Sequence, residues 1–147
     1  KETMEEEAKK IEFRIGIERL INNLKDKYIL ALITSDYDIA AQFTKNKFGF
    51  NYAFGCKEIF KDGKLQGCSE IIDGEEKLRK LESIAKKENI KLTEVIYIGN
   101  DTNDAFVFEK VGYSLAFNAS EEVREAATSY CDGKDLSCIS KIIKELK

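Results

Sequence analysis

Two stretches restrict the fold of this chain more than any others: YILALI, residues 28–33, and VIYI, residues 95–98. Neither alternates apolar with polar residues, as a strand with one wet face would. Each suits a strand covered on both faces in a parallel sheet. Both run into a polar segment, Thr34-Ser35-Asp36 in the first case and Gly99 to Asp104 in the second, and then into helical spacing. Ile39, Ala40, Phe43 and Phe48 continue the first unit up to Gly49, a C-terminal cap, and Asn51 to Phe54 reads as a short further strand.

The alternation continues. Asp62-Gly63 between two short apolar pieces predicts a β-hairpin over residues 57–67. Asp73-Gly-Glu-Glu76 has the form of a capping box, and Leu78, Leu81, Ile84 and Ala85 give the helix after it an apolar stripe. A short helix over Phe106–Val111 and a strand over Tyr113–Phe117 come next. Ser120 or Asn118 caps a helix through Ala127, Tyr130-Cys131 reads as an edge strand, and Leu136 to Leu146 as an amphipathic helix. Strands alternating with helices predict a Rossmann-like α/β/α sandwich with a mainly parallel sheet and right-handed crossovers. Ile17, Leu20, Ile21 and Leu24 fit a helix from about Gly16, whereas the residues before it suit either a charged helical extension or a strand. We therefore divide the chain into residues 1–15, a charged N-terminal extension such as the end of an upstream segment would give, and a core domain over residues 16–147.

Composition narrows the chemistry. At 147 residues the chain fits one domain, and a net charge of −3 with lysines spread throughout argues against nucleic acid or an anionic membrane as partner. No apolar run approaches a membrane span and the N-terminus is charged, so the expected location is cytoplasmic. The four cysteines, Cys56, Cys68, Cys131 and Cys138, lack CxxC spacing. They read as buried small hydrophobes, with a Cys56–Cys68 or Cys131–Cys138 bridge as the alternative. The absence of histidine removes the commonest general base and the Ser-His and Cys-His nucleophile pairs.

In an open parallel sheet, ligands bind beyond the carboxyl ends of the strands. Thr34-Ser35-Asp36 and Gly99–Asp104 fall there. Lys77, in the first turn of its helix and near the edge of the apolar stripe, can run its stem along apolar surface and carry its ammonium to the same place. Hydroxyls, helix-start amides, one cation and a carboxylate-amide cluster together suit a phosphate offset by a divalent cation. Each piece also has a plainer reading: N-caps for Thr34 and Ser35, a surface lysine for Lys77, a tight turn for Asn100–Asp104. Their ordered occurrence at strand ends favours the joint site, with all three elements converging at one rim of a single sheet.

The same residues resemble the haloacid dehalogenase superfamily, within it the phosphoserine phosphatase-like branch. ALITSDYDIA is similar to that branch's motif II and DGEEKLRKL to its motif III, while IGNDTNDAFVFEKVGYSLAFNASEEVREAA is similar to its motif IV with the segment downstream of it. The resemblance covers roughly Gly16 to Leu146. It implies a Mg2+-dependent phosphatase acting on a small phosphorylated molecule through an aspartyl-phosphate. Motif II implies a phosphate-binding hydroxyl at Thr34, with Ser35 beside it, and motif III a charge-balancing lysine at Lys77. Motif IV implies metal ligation by Asn100, Asp101 and Asp104, with Asn103 at the substrate.

Two departures accompany the resemblance. The family's motif I, DxDxT, which carries the nucleophile, is not in these residues, and Asn100 stands where the first motif IV aspartate is usual. Because the motif I strand is central in that fold, its omission would leave two strand edges unpaired. An upstream segment, residues Ile11–Ile17 or a second protomer would complete the sheet. The helical cap between motifs I and II is absent as well. The 147 residues alone are expected to show no turnover. The competing expectation is a degenerate relative that binds a phosphorylated ligand or partner without hydrolysing it.

Overall fold

The computed structural model describes residues 1–146; the predicted core range ends on Lys147, which lies outside the described residues. The chain divides into two compact units, one made of Lys1–Phe13 and Ile17–Asp73, the other of Arg14–Gly16 and Gly74–Lys147.

The first unit contains helices α1 (Glu2–Ala8) and α2 (Ile17–Leu24), strand β1 (Ala31–Tyr37), helix α3 (Asp38–Phe48) and strands β2 (Tyr52–Lys61) and β3 (Lys64–Glu70). The N-terminal residues are thus helical over α1, which packs on α3 and buries Ala8. Phe13 meets Phe48 edge to face with ring centroids 4.8 Å apart, and the Lys47 ammonium lies over the rings of Phe13, Phe43 and Phe48. The sheet order is β1-β2-β3. The strand predicted at Asn51–Phe54 and the first arm of the predicted hairpin are one continuous strand, β2. Its first half runs parallel to β1, its second half antiparallel to β3. The hairpin turns at Asp62 and Gly63, with φ of 51° and 75°. Positive φ at both central residues is what a two-residue turn matched to strand twist requires, and Asp-Gly supplies it at low cost.

β1 is displaced from its prediction. The apolar run predicts a strand over residues 28–33, whereas the strand covers 31–37, so Thr34, Ser35 and Asp36 lie inside it rather than in a following loop. The run is also not covered on both faces as predicted: Tyr28 and Ile29, ahead of the strand, are exposed, and no β1 residue is fully buried. Pairing with β2 sets the strand limits and resumes at Tyr37↔Cys56 after a register irregularity. The N-cap of α3 is Tyr37, which excludes the N-cap reading of Thr34 and Ser35.

The second unit contains helix α4 (Gly74–Glu88), a short 3-10 turn at Leu92–Glu94, strand β4 (Ile96–Gly99), helix α5 (Thr102–Phe108), strand β5 (Tyr113–Phe117), helix α6 (Glu121–Ala126), strand β6 (Ser129–Cys131) and helix α7 (Ser137–Glu145). Its strands form a wholly parallel sheet in the order β4-β5-β6. β5 is buried over Ser114–Phe117, and Leu115, Val107 and Val123 form the centre of this core. Arg14 stacks on Phe117, and Ile15 bridges to Asp135. Parallel strands linked by helices are the Rossmann-like arrangement expected. The strands nevertheless divide between two three-stranded sheets, and among the described residues β1 and β4 each have one hydrogen-bonding edge without a partner strand. No described helix is long and apolar enough to cross a membrane.

Cys131 and Cys138 are joined by a disulfide from β6 to the first turn of α7, so the reading of all four cysteines as buried thiols holds only for Cys56; Cys68 is half-buried. The β6-to-α7 connection is short enough to bring the two sulfurs together, with Cα atoms 6.2 Å apart, inside the range a disulfide spans.

Candidate functional site

The geometry of the β4–α5 loop depends on one side chain. Asp104, in the first turn of α5, is 5% exposed and turns back under the loop that precedes it. Its Oδ2 accepts the backbone N–H groups of Asn100 at 2.9 Å and Asp101 at 3.1 Å. Its Oδ1 accepts from Lys77 Nζ at 2.8 Å and from the Tyr97 hydroxyl at 2.9 Å. Two lone-pair directions on each oxygen receive four donors, so this buried carboxylate is fully satisfied. Burial pulls its pKa upward, but the Lys77 hydrogen bond, the Asn100 amide, the Lys77 charge and the Tyr97 hydrogen bond outweigh it and hold the carboxyl below its ordinary value. Burial, and then the neighbouring Asp104 charge and hydrogen bond, push the Tyr97 phenol far above its usual range, so it is a neutral donor.

Gly99 is what lets this happen. A Cβ there would overlap the Cβ and carboxyl carbon of Asp104, so the strand can pass over the folded-back aspartate only as glycine.

Asp101 caps α5. Its Oδ1 accepts the Thr102 N–H at 2.7 Å, and with Asp104 it completes a capping box. Sequence spacing starts this helix at Phe106; the cap moves its start to Thr102, because the polar residues that read as a turn form its first turn instead. Asn100 is exposed, Asn103 half-buried. The structure therefore brings Lys77, Asn100, Asp101 and Asp104 together. Of the expected metal ligands, Asp104 has all its acceptor positions filled by protein donors. Asn100 and Asp101 are both exposed, Asp101 with its side chain engaged at the start of α5 by the Thr102 N–H and the capping box. Their carboxylate and amide oxygens are of the chemical type that binds Mg2+ together with waters and a substrate phosphate. No group of three or more acidic or cysteine side chains placed to hold a metal occurs among the described residues.

Thr34 and Ser35 lie in the first unit, toward the C-terminal end of β1. Thr34, half-buried, accepts the Asp36 N–H on its Oγ1 at 3.1 Å, a bond that does not use its own O–H. Ser35 spends its O–H on the Ile72 carbonyl at 2.6 Å. Cys56 ties the same place together, its thiol donating to the Ser35 carbonyl at 3.1 Å and accepting the Ile72 N–H at 3.3 Å.

Sequence reasoning missed Tyr97. The one signal was a phenol in an otherwise aliphatic buried-type strand, where a hydroxyl must find a partner.

Residues 1–143 match a family model described as haloacid dehalogenase-like hydrolase. A phosphoserine phosphatase of Methanocaldococcus jannaschii is 37% identical over 146 residues, a match spanning 97% of this chain and 69% of that protein. One of Archaeoglobus fulgidus is 30% identical over 146 residues, spanning 97% of this chain and 42% of that protein. Among solved structures, phosphoserine phosphatase in apo form is similar with a TM-score of 0.88 at 35% identity, covering 99% of this chain and 73% of that one. A phospho-aspartyl intermediate analogue of phosphoserine phosphatase gives 0.87 at 35% identity, with 99% and 70% covered.

Proposed function

Since the chain belongs to the haloacid dehalogenase-like hydrolases, in their phosphoserine phosphatase-like branch, we propose that residues 1–147 are the phosphate-binding part of a phosphomonoester hydrolase. Its substrate is a small phosphorylated molecule, with O-phosphoserine the first candidate because the relatives are phosphoserine phosphatases. The observation that carries this reading is the buried Lys77–Asp104 pair beside the amides of Asn100 and Asp101.

Each residue then has a defined task. The Lys77 ammonium uses one proton on Asp104 and has two N–H groups left for phosphate oxygens, whose charge it offsets. Thr34 donates its O–H to the phosphate, while Ser35, whose proton goes to Ile72, keeps the strand end in place. Asn103 contributes on the substrate side. Asn100 and Asp101 would hold Mg2+, with Asp104 orienting the loop that carries them, and the cation when bound would stabilise charge on the phosphate. None of these groups attacks phosphorus. The nucleophilic aspartate comes from a segment outside residues 1–147, an upstream strand or a second protomer, which also pairs with an open strand edge.

Hydrolysis of O-phosphoserine and p-nitrophenyl phosphate tests this. Residues 1–147 alone should be inactive, and a longer native chain carrying a DxDxT segment should be active with Mg2+ and lose activity in Lys77→Ala. Turnover by residues 1–147 alone would overturn the proposal. Asn100, a neutral side chain in place of a carboxylate, favours a second reading: a relative that binds a phosphorylated ligand without hydrolysis. In that case the longer chain would bind inorganic phosphate, lose it in Lys77→Ala, and show no turnover.

A further inference from the structure

We propose that Tyr97 is a positioning residue that fixes the Asp104 carboxylate independently of Lys77, so that the Asn100–Asp101 loop stays in place when the lysine turns toward an anion.

Asp104 makes two kinds of bond. Oδ2 holds the loop, through the amides of Asn100 and Asp101, and Oδ1 is held by side chains, Lys77 and Tyr97. The orientation of the loop therefore depends on the rotation of the carboxylate about its terminal torsion, which is intrinsically broad. Lysine alone would be a poor restraint, because its ammonium rides on a flexible four-carbon stem. It is also the group that must redirect its remaining N–H donors when a phosphate arrives. Tyr97 has only two rotatable bonds and a rigid ring. That ring is buried at 9% exposure and pinned edge to face against Phe108, with centroids 6.0 Å apart at 68°. Its hydroxyl thus reaches Oδ1 from a fixed point in β4, at 2.9 Å.

The neighbouring residues sharpen the assignment. Ile96 and Ile98 flank Tyr97 with aliphatic side chains, so no general demand of this strand calls for a hydroxyl. Burying a phenol without a partner costs free energy, and Asp104 Oδ1 is the acceptor that satisfies it. The loop that Tyr97 steadies begins three residues later along the same chain, so strand and loop form one short rigid lever.

The affinity part of this inference rests on the phosphate-binding reading of Lys77; the loop-ordering part does not. Tyr97→Phe keeps the ring against Phe108 and removes only the hydroxyl. Amide hydrogen exchange followed by NMR should show Asn100 and Asp101 exchanging roughly tenfold faster or more, as loss of a hydrogen bond to a charged group implies. The amides of Leu115 and Ala116 in β5 should keep their wild-type rates. Titration with inorganic phosphate should show a several-fold weaker dissociation constant in the variant. Unchanged exchange at Asn100 and Asp101 overturns the proposal. So does uniform acceleration at every amide, which would make Tyr97 a contributor to global stability only. If the wild-type protein binds no phosphate, the functional reading of Lys77 fails, and the exchange rates alone still decide the role of Tyr97.

Discussion

Lys77 Nζ lies 2.8 Å from Asp104 Oδ1, with only 8% and 7% of the two side chains exposed. A pair this buried behaves unlike the surface pairs of the same unit, such as Arg79 with Glu75, whose side chains are about two-thirds exposed. Removing one partner of a buried pair leaves the other charged in a poor solvent. Lys77→Met is therefore expected to lower stability by about 3 kcal/mol, near the low end for such losses because Asp104 keeps Tyr97 and two amides. Urea denaturation measures it. A cost below about 1 kcal/mol would mean that the pair is solvated.

Gly99 gives a sharper steric prediction. An added Cβ would run into Asp104 side-chain atoms belonging to a helix start that cannot retreat without breaking its own capping box. Gly99→Ala should cost about 3 kcal/mol, the range of core overpacking. In an Asp104→Gly background, where those atoms are gone, the same change should cost markedly less. Additive losses in that double-mutant cycle would show that the glycine is needed for some other reason.

The legible parts of this sequence are those fixed by local chemistry. Tyr113–Phe117 has the limits that its sequence predicts, because a run buried on both faces leaves no alternative register. The Asp62-Gly63 turn is legible because few dipeptides accept positive φ at both positions. The C-terminal helix is set by its apolar stripe. By contrast, the start of α5 is masked because Asp101, Thr102 and Asn103 are as common in turns as at helix starts. The polar end of β1 is misplaced since pairing with β2, a tertiary fact, extends the strand past its apolar run. Within the candidate site, residue types identify Lys77 and Asn100–Asp104. The hydrogen bond from Tyr97 depends on how β4 sits against α5, which spacing along the chain does not encode.

The Cys131–Cys138 disulfide closes a loop with a sequence separation of 7. A loop that short restricts the unfolded chain modestly, and reduction should lower stability by about 2–3 kcal/mol on the chain-entropy account. Denaturation with and without a thiol reductant checks this, with Cys131→Ser/Cys138→Ser as the control that should not respond. The loss should appear first in α7, as faster amide exchange there than in β5.

Asp135 supplies a prediction whose sign can be worked out. Its carboxylate accepts the Ser137 hydroxyl at 2.6 Å and the Ser137 N–H at 2.9 Å at the start of α7. Those two bonds, the hydroxyl first and the backbone amide second, hold its pKa below the ordinary value of 3.8. Both favour the charged form, so the folded protein binds this proton less readily than the unfolded chain does. The stabilisation is therefore fully present above pH 3.8 and disappears as the pH falls below that value through the lower folded pKa. In Ser137→Ala the larger cause is gone and the amide remains, so the carboxyl should move part of the way back. Following the Asp135 side-chain carbon by NMR between about pH 2 and 6 would show the midpoint rising in the variant, a range chosen about the ordinary carboxylate pKa. The stability difference between the two proteins should be constant at neutral pH and close on acidification. A midpoint identical in both would mean that the hydroxyl bond is not formed in solution, and with it would go the account of how α7 begins.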